Sequence, residues 1–461
     1  MNVKRLNLIS VGFFALLLCI PARADVPELD AQMISTLDTQ GWVRVIVMFG
    51  QPPGRAFSRD LPDRERIEQI AHAREQILSD LGGQVVSKRQ FLLVPGFAAE
   101  VNQEALKQLQ AHPLVERIEL DLPGSGNMAQ GGPLARIPDI YSAGLTGAGV
   151  KVAIVDSGID TDHPDFSGRL VAQQCMCSGG AGETGCCPNG LETQSGAGAA
   201  DDENGHGTHV TGIAAGGGSV ALRGGAPEAD IVAVRVLDAN NGFCCLSDVV
   251  AGFDWVRVNH PDTKVLNASL GTFTLYAGSC DGVSTAMTNA VDNLVTNDTM
   301  VFVSSGNQGS STAMTSPACI SNSFSVGAVW DAPRGSTSFL GCTDSVVTAQ
   351  KPTCCTNSNT TLDLFAPGAF IVSSGDGGDT SSYGGTSQAS PMTAGCVAAL
   401  RAWQPGATIT EIETALKASP VTVTDPKNNL QFAALDCLDA MNRLKPAIQP
   451  LFHDGFEQFG D

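Results

Sequence analysis

The sequence predicts a doubly wound α/β protein, with a mainly parallel sheet and helices on both faces, preceded by a smaller α+β unit. Three observations predict it. Short apolar runs rich in β-branched residues recur after residue 149, as buried parallel strands do. Helical stretches lie between or after them, which suits crossover connections. Composition also breaks near 122–135, where "LPGSGNMAQGGP" reads as an exposed, cleavable connector.

Residues 1–24 stand apart from the fold. Lys4 and Arg5 precede the apolar run Val11–Ile20, and Ala22-Arg23-Ala24 offers small residues for cleavage. This is the pattern of a signal peptide, and the run is short for a membrane span. Cys19 follows Leu18, where a lipid-anchored precursor needs a small residue, so no membrane anchor is expected.

Residues 25–127 form the first unit. Val43–Phe49 reads as a strand. The segment 64–83 is a helix with Ile67, Ile70, Ala71, Ile77, Leu78 and Leu81 along one side and glycines at its end. Val85–Val94 and "GFAAEV" read as extended, "NQEALKQLQAHP" as a second helix, and "LVERIEL" as a closing strand. The order strand–helix–strand–strand–helix–strand is ferredoxin-like.

Residues 128–405 hold the larger unit. Its strands are Val150–Val155, Ile231–Val236, Val265–Ala268, Met300–Ser304 and Ser323–Val329; helices are expected over 206–215, 247–259, 282–296 and 388–402. Ligands of such sheets sit beyond the carboxyl ends of strands, where Asp156, Ser269-Leu270-Gly271 and Asn307 fall. Residues 406–461 carry one helix near 409–418 and an aromatic, acidic end.

Four stretches carry chemistry. Asp156 ends a strand in "VAIVDSGID", and His206 opens a helix in "NGHGTHVTG". Zinc binding by His206 and His209 is disfavoured: an i, i+3 pair lacks the i, i+4 spacing and the glutamate of a zinc helix, and no third ligand stands out. His209 is expected to pack or bond within its helix. Ser387, in "GGTSQASP", sits at a helix edge whose dipole favours developing negative charge. Alone its hydroxyl is unreactive, and a histidine oriented by a carboxylate corrects that. Asn307, in "SSGNQG", offers a neutral amide donor for an oxyanion. "NASLG" ends its strand in small residues and can pair with a peptide, β-fashion.

These segments resemble the signatures of subtilisin-like serine peptidases, in the order Asp, His, Ser. The resemblance spans 128–405 and implies a self-processing, broad-specificity endopeptidase. In it Ser387 is the nucleophile, His206 the general base and Asp156 its orienting partner. Asn307 and the Ser387 N–H form the oxyanion hole, and Ser269, Leu270, Gly271, Ser304, Ser305 and Gly306 flank the substrate. It further implies that 25–127 is an inhibitory, chaperoning propeptide, the enzyme's own intramolecular inhibitor. No cofactor is implied for catalysis. Asp165 matches a calcium ligand of relatives, so structural calcium is an expectation there, although the facing loop "AAGGGSVALRGG" lacks carboxylates. Asp201, Asp202, Glu203 and Asn204 also offer oxygen ligands, but read better as a solvated acidic turn. Gln388 stands where relatives often carry Met.

Composition narrows the function classes. The net charge of −20 argues against a nucleic-acid partner. It suits a soluble extracellular protein; the resemblance, not the charge, implies an exported bacterial monomer acting on unfolded or flexible protein and peptide chains. Thirteen cysteines remain beyond Cys19: Cys175, Cys177, Cys186, Cys187, Cys244, Cys245, Cys280, Cys319, Cys342, Cys354, Cys355, Cys396 and Cys437. In an exported chain all are disulfide candidates, and an odd number leaves at least one thiol over. Cys280 with Cys319, and Cys342 with Cys354 or Cys355, are plausible pairs. A zinc site from Cys175, Cys177 and the 186–187 pair is the rival reading. The insertions 171–204 and 340–361 are expected to be loops pinned by such bonds. A catalytically silent binding protein on the same fold is the alternative function class, distinguished by whether Ser387 reacts.

Overall fold

A computed structural model describes residues 41–50, 61–82, 85–121, 124–126, 133–180 and 184–445, with isolated positions between 33 and 57. The signal-peptide reading and the aromatic, acidic end lie outside the described residues.

The first unit is an antiparallel sheet under two helices. Its strands are β1 (Val43–Phe49), β2 (Val85–Gln90), β3 (Gly96–Val101) and β4 (Val115–Leu120), in the order β2-β3-β1-β4. Helices α1 (Asp63–Asp80) and α2 (Gln103–Ala111) connect them, and Asn102 caps α2 by accepting from the Ala105 N–H. Alternation along β1 sends Val43, Val45, Val47 and Phe49 to the helix side, with Ile70, Ile77, Leu106 and Leu109. Ile46 and Met48 point the other way, into the core of the larger unit. The sheet is therefore buried on both faces. On α1, the buried side includes Arg66, Ala73 and Arg74 rather than Ile67 and Ala71. Arg66 reaches the Leu93 carbonyl and Asn293 Oδ1, a use that apolar periodicity cannot reveal.

The chain continues through β5 (Gly124–Gly126) and the short α3 (Ile137–Tyr141) into the larger unit. That unit holds β6 (Lys151–Asp156), β7 (Leu170–Met176), β8 (Thr193–Ser195), α4 (His206–Ala215), β9 (Asp230–Arg235), β10 (Gly242–Phe243), α5 (Leu246–Asn259), β11 (Thr263–Ala268), β12 (Leu270–Thr272) and β13 (Leu275–Tyr276). After α6 (Thr285–Thr296) come β14 (Met300–Ser304), β15 (Met314–Thr315), β16 (Phe324–Trp330) and the hairpin β17 (Thr337–Phe339)/β18 (Cys342–Asp344). The chain then forms β19 (Leu364–Ala369), the hairpin β20 (Ile371–Gly375)/β21 (Asp379–Tyr383) and α7 (Thr386–Trp403). It closes with α8 (Ile409–Lys417), β22 (Thr422–Thr424), β23 (Gln431–Ala433) and α9 (Cys437–Leu444).

Eight strands run β19-β16-β14-β11-β6-β9-β7-β8, parallel except at the β7–β8 edge. Two apolar cores lie on its faces. One gathers α4, α7, α8 and α9 side chains such as Val210, Val397, Ile412 and Met441. The other gathers Val249, Phe253, Met287 and Leu294 from α5 and α6. The last stretch thus shares its core with the main sheet, and Cys396–Cys437 ties α7 to α9.

Two expectations change. Leu170–Met176, expected to begin a loop insertion, is a strand of the central sheet. Gln173 and Gln174 interrupt its apolar run, "LVAQQCM", and Leu170, Ala172 and Met176 are only partly buried, which hid the strand. Cys355 is a free, buried thiol rather than half of a bond, since Cys342 pairs with Cys354. Cys280 pairs with Cys319. Cys175–Cys187 and Cys177–Cys186 are disulfides, which removes the zinc reading. Adjacent Cys244 and Cys245 are joined to one another.

Candidate active site

Asp156, His206 and Ser387 are wholly buried at the carboxyl-terminal edge of the sheet. Asp156 is the last residue of β6, and α4 begins at His206. The imidazole Nδ1 lies 2.6 Å from Asp156 Oδ1. A carboxylate there fixes the proton on Nδ1 and leaves Nε2 as the basic nitrogen. The close approach of α4 to the β6 turn needs glycine, because a Cβ on Gly207 would lie 2.1 Å from the Gly158 carbonyl oxygen.

Asp202 sets the angle of that helix. Contrary to the expectation of a solvated turn, its side chain is buried. It accepts from the Ser157 hydroxyl at 2.9 Å, the Thr208 hydroxyl at 2.6 Å, and the N–H groups of Asn204 and Thr208 at 3.0 and 2.9 Å. Burial pushes this carboxyl up. The Thr208 hydroxyl and surrounding N–H groups outweigh it and hold the group below its ordinary range. Asp201 and Glu203 are exposed, and Glu203 pairs with Arg235.

Ser387 is the second residue of α7, behind Gly385, whose φ of 145° lets the chain turn sharply into the helix. Its hydroxyl donates to the Ser269 carbonyl at 3.1 Å, and the Ser269 hydroxyl donates to the Ser387 carbonyl at 2.7 Å. Pro391 explains the second bond. It lies inside the helix rather than at its first positions, and has no N–H for the carbonyl four residues back. That carbonyl belongs to Ser387, and Ser269 satisfies it instead. A further pair steadies the strand: Asn267 donates to the Ser269 hydroxyl at 2.9 Å and accepts from Ser390 at 2.7 Å.

Asn307 faces the helix start. Its Oδ1 accepts from the Thr386 N–H and hydroxyl at 3.0 and 3.1 Å, while Nδ2 is buried with no hydrogen-bond partner. A buried amide nitrogen without an acceptor is costly, and suits an oxyanion that forms only during reaction. The loop is pinned by Asn357, a residue that sequence reasoning did not single out. Its Oδ1 accepts from the N–H groups of Gln308 and Ser310, and its Nδ2 donates to the Ser305 carbonyl. No local signal marks it, because its partners lie about fifty residues away.

The substrate-binding candidates divide. Leu270 and Gly271 lie on β12, which pairs antiparallel with β5 in the register Leu270↔Gly126 and Gly271↔Ser125. On the other side of β5 lies β10, with Gly242↔Ser125. A strand of chain therefore occupies a groove between two rails beside Ser387. Ser304 closes on the Leu270 carbonyl and Gly306 donates to Thr386, whereas Ser305 turns away to bond the Asn357 carbonyl.

Asp165 does not fit a cation. Its oxygens accept from the N–H groups of Ser219, Val220 and Ala221 at 2.6, 2.8 and 3.0 Å and from the Ser374 hydroxyl at 2.8 Å. Burial pushes the carboxyl up, and these donors bring it below the ordinary range. A shell of N–H donors repels a cation, so the calcium expectation at Asp165 is corrected. Among the described residues no three His, Cys, Asp or Glu side chains converge on a metal position.

His209 also differs from expectation, for it bonds outside its own helix. Nε2 lies 3.2 Å from the Ile371 carbonyl and Nδ1 lies 3.4 Å from Gln388 Nε2. A carbonyl only accepts, so the proton sits on Nε2 and Gln388 donates to Nδ1. Burial, with His206 nearby, lowers its pKa to about 3, and the ring stays neutral.

A doubly wound sheet with a carboxylate–imidazole pair, a helix-edge serine and a buried, unpaired amide nitrogen by that helix start fits a serine hydrolase class. Residues 147–434 match the Subtilase family. Subtilisin NAT of Bacillus subtilis subsp. natto is 33% identical over 355 residues, 75% of this chain and 80% of its own. The extracellular serine proteinase of Thermus sp. (strain Rt41A) is 33% identical over 356 residues, 74% and 75% of the two chains. The fold is shared with fervidolysin of Fervidobacterium pennivorans, at a TM-score of 0.63 and 19% identity, over 88% of this chain and 61% of that one. The chain belongs to the subtilase family, and is a subtilisin-like serine endopeptidase.

Proposed function

We propose that this chain is an exported, self-processing endopeptidase that acts through Asp156, His206, Ser387 and Asn307. The observation that carries the reading is β5: residues 124–126 lie in extended pairing between β10 and β12, as a peptide substrate would. Ser387 Oγ attacks the scissile carbonyl while His206 Nε2 takes its proton, and Asp156 holds the ring in the required tautomer. The oxyanion accepts from Asn307 Nδ2 and the Ser387 N–H. Collapse breaks the C–N bond, His206 protonates the leaving amine, and water then hydrolyses the ester by the same steps.

The same reading divides the precursor into a signal peptide, 1–24, a propeptide, 25–127, and the enzyme from 128 onward. Register supports this boundary. Gly126, the last residue of β5, faces Leu270, the neighbour of Ser269, whose carbonyl accepts from the nucleophile. On this reading maturation falls after β5, at the boundary between 25–127 and the enzyme from 128 onward. Among the described residues no helix is long and apolar enough to cross a membrane. With the extracellular naming of one relative, this supports export.

Two measurements test the proposal. A serine-directed phosphonate should label Ser387 in the wild type and not in His206→Ala, and N-terminal sequencing of the secreted enzyme should begin at Met128. A wild type that neither labels nor cleaves unfolded protein after propeptide removal would refute the activity. An active product that still carries residues 25–120 covalently would refute the zymogen account.

A further inference from the structure

We propose that the disulfide between neighbouring Cys244 and Cys245 is a positioning element of the substrate groove. It holds the β10 rail extended when the groove is empty, and so sets affinity for substrates long enough to reach that rail. The inference rests on the groove reading above.

Apart from the Phe243 side chain, which is buried in the core, the rail's backbone has little support. β10 has two residues and, among the described strands, pairs only with β5. Upstream, a turn built on Asp238 fixes its start: Asn240 and Gly242 donate N–H groups to the carboxylate at 2.8 and 2.9 Å, and Asp238 N–H donates to the Gly242 carbonyl at 2.8 Å. Downstream comes α5, whose N-cap is Cys245, extended at φ −149° and ψ 120° and giving no side-chain cap. The cap comes from the propeptide instead: Asp121 accepts from the Ser247 N–H at 2.7 Å.

Maturation removes these outside supports together. Cleavage and release withdraw β5 from beside β10 and Asp121 from the start of α5. The bond at 244–245 stays. By closing a small ring around one peptide unit, it restricts the dihedrals of the two residues that join rail to helix, so the groove pays less ordering entropy when substrate arrives. Release also uncovers the bond. Cys244 is only half-buried, and the propeptide's Arg44 lies 3.8 Å from its Sγ. A dithiol reagent then reaches it: the reagent's thiols become a disulfide, and two electrons and two protons pass to Cys244 and Cys245.

The test uses the mature enzyme and its Cys244→Ser/Cys245→Ser variant. Each is given a peptide with four residues on the acyl side of the cleaved bond, and an ester of a single amino acid that cannot reach β10. Peptide mapping should find 244 and 245 linked to one another. The variant should show KM for the long peptide raised by about 5- to 30-fold, the cost of ordering one backbone position, with kcat and ester turnover unchanged. Should the variant not fold, mild dithiol treatment of the wild type supplies the same comparison, with mapping to show which bond has opened. Unchanged KM in the variant or after selective opening, an equal loss on ester and peptide, or mapping that finds either cysteine free or bonded elsewhere overturns the proposal. Failure of the wild type itself to turn over the ester or to label at Ser387 overturns the peptidase reading, and this one with it.

Discussion

Asn307 and Gln388 show how single side chains divide the work at the site. Asn307 spends its oxygen on Thr386 and keeps a buried nitrogen unpaired. Asn307→Ala should lower kcat by about 10²–10³-fold with KM nearly unchanged, the size of effect familiar from subtilisin itself. Steady-state kinetics on a peptide substrate check this, and a matching rise in KM would mean that the amide binds the ground state. Gln388 answers a different need, since it supplies the hydrogen that neutral His209 requires at Nδ1. Replacing it with Met, the residue common in relatives, leaves a buried acceptor bare. Stability should fall by about 1–3 kcal/mol, seen as a lower Tm; an unchanged Tm would show that the ring finds another donor.

Whole elements are joined by carboxylates where the first unit meets α5 and α6. Glu119 accepts from the Thr285 N–H at 3.0 Å at the start of α6, and Asp121 serves α5 in the same way. Asp254, on α5, accepts from the Leu92 and Leu93 N–H groups of the first unit, with Arg66 near. Burial in the docked state raises all three, Asp254 to about 6, against the opposing pull of those donors and of Arg44, Arg66 and Arg117. A carboxyl whose pKa is higher docked than free takes up a proton on docking. Its burial is therefore least costly at low pH and opposes docking as pH rises through about 6. On the proposed zymogen reading, the isolated first unit should inhibit the enzyme freed of it more tightly at pH 5.5 than at pH 8, and Asp254→Asn should flatten that dependence. Tighter inhibition at the higher pH would reverse the assignment.

The molecule as a whole is closed by its last forty described residues. Ile412, Leu416, Ala440 and Met441 lie in the core that also holds Val210 of α4 and Val397 of α7. The Cys396–Cys437 bond closes a loop with a sequence separation of 41. Cys437→Ser paired with Cys396→Ser should cost about 4 kcal/mol by the loop-entropy estimate, measurable as a lower midpoint in denaturant. Ending the chain at 405 should expose that core and give no soluble enzyme. A truncated protein with full activity would mean that this segment is an ornament on the fold.

Asp156, His206, Asn307 and Ser387 were legible because each lies in a several-residue motif whose local form, strand end or helix start, follows from its own neighbours. The strand at Val43–Phe49 and the helix in "NQEALKQLQAHP" were legible for the same reason. Asn357, Arg66 and Asp202 were not, since their partners are remote or set by burial, and a polar residue looks the same in sequence whether it is solvated or enclosed. By itself the sequence determined the order of elements, the serine peptidase class and the presence of disulfides. Only the tertiary structure decided that Asp165 is wrapped in N–H donors, that Leu170–Met176 joins the sheet, and that Cys244 bonds its neighbour. Local periodicity specifies what a segment becomes, whereas long-range packing specifies which groups meet.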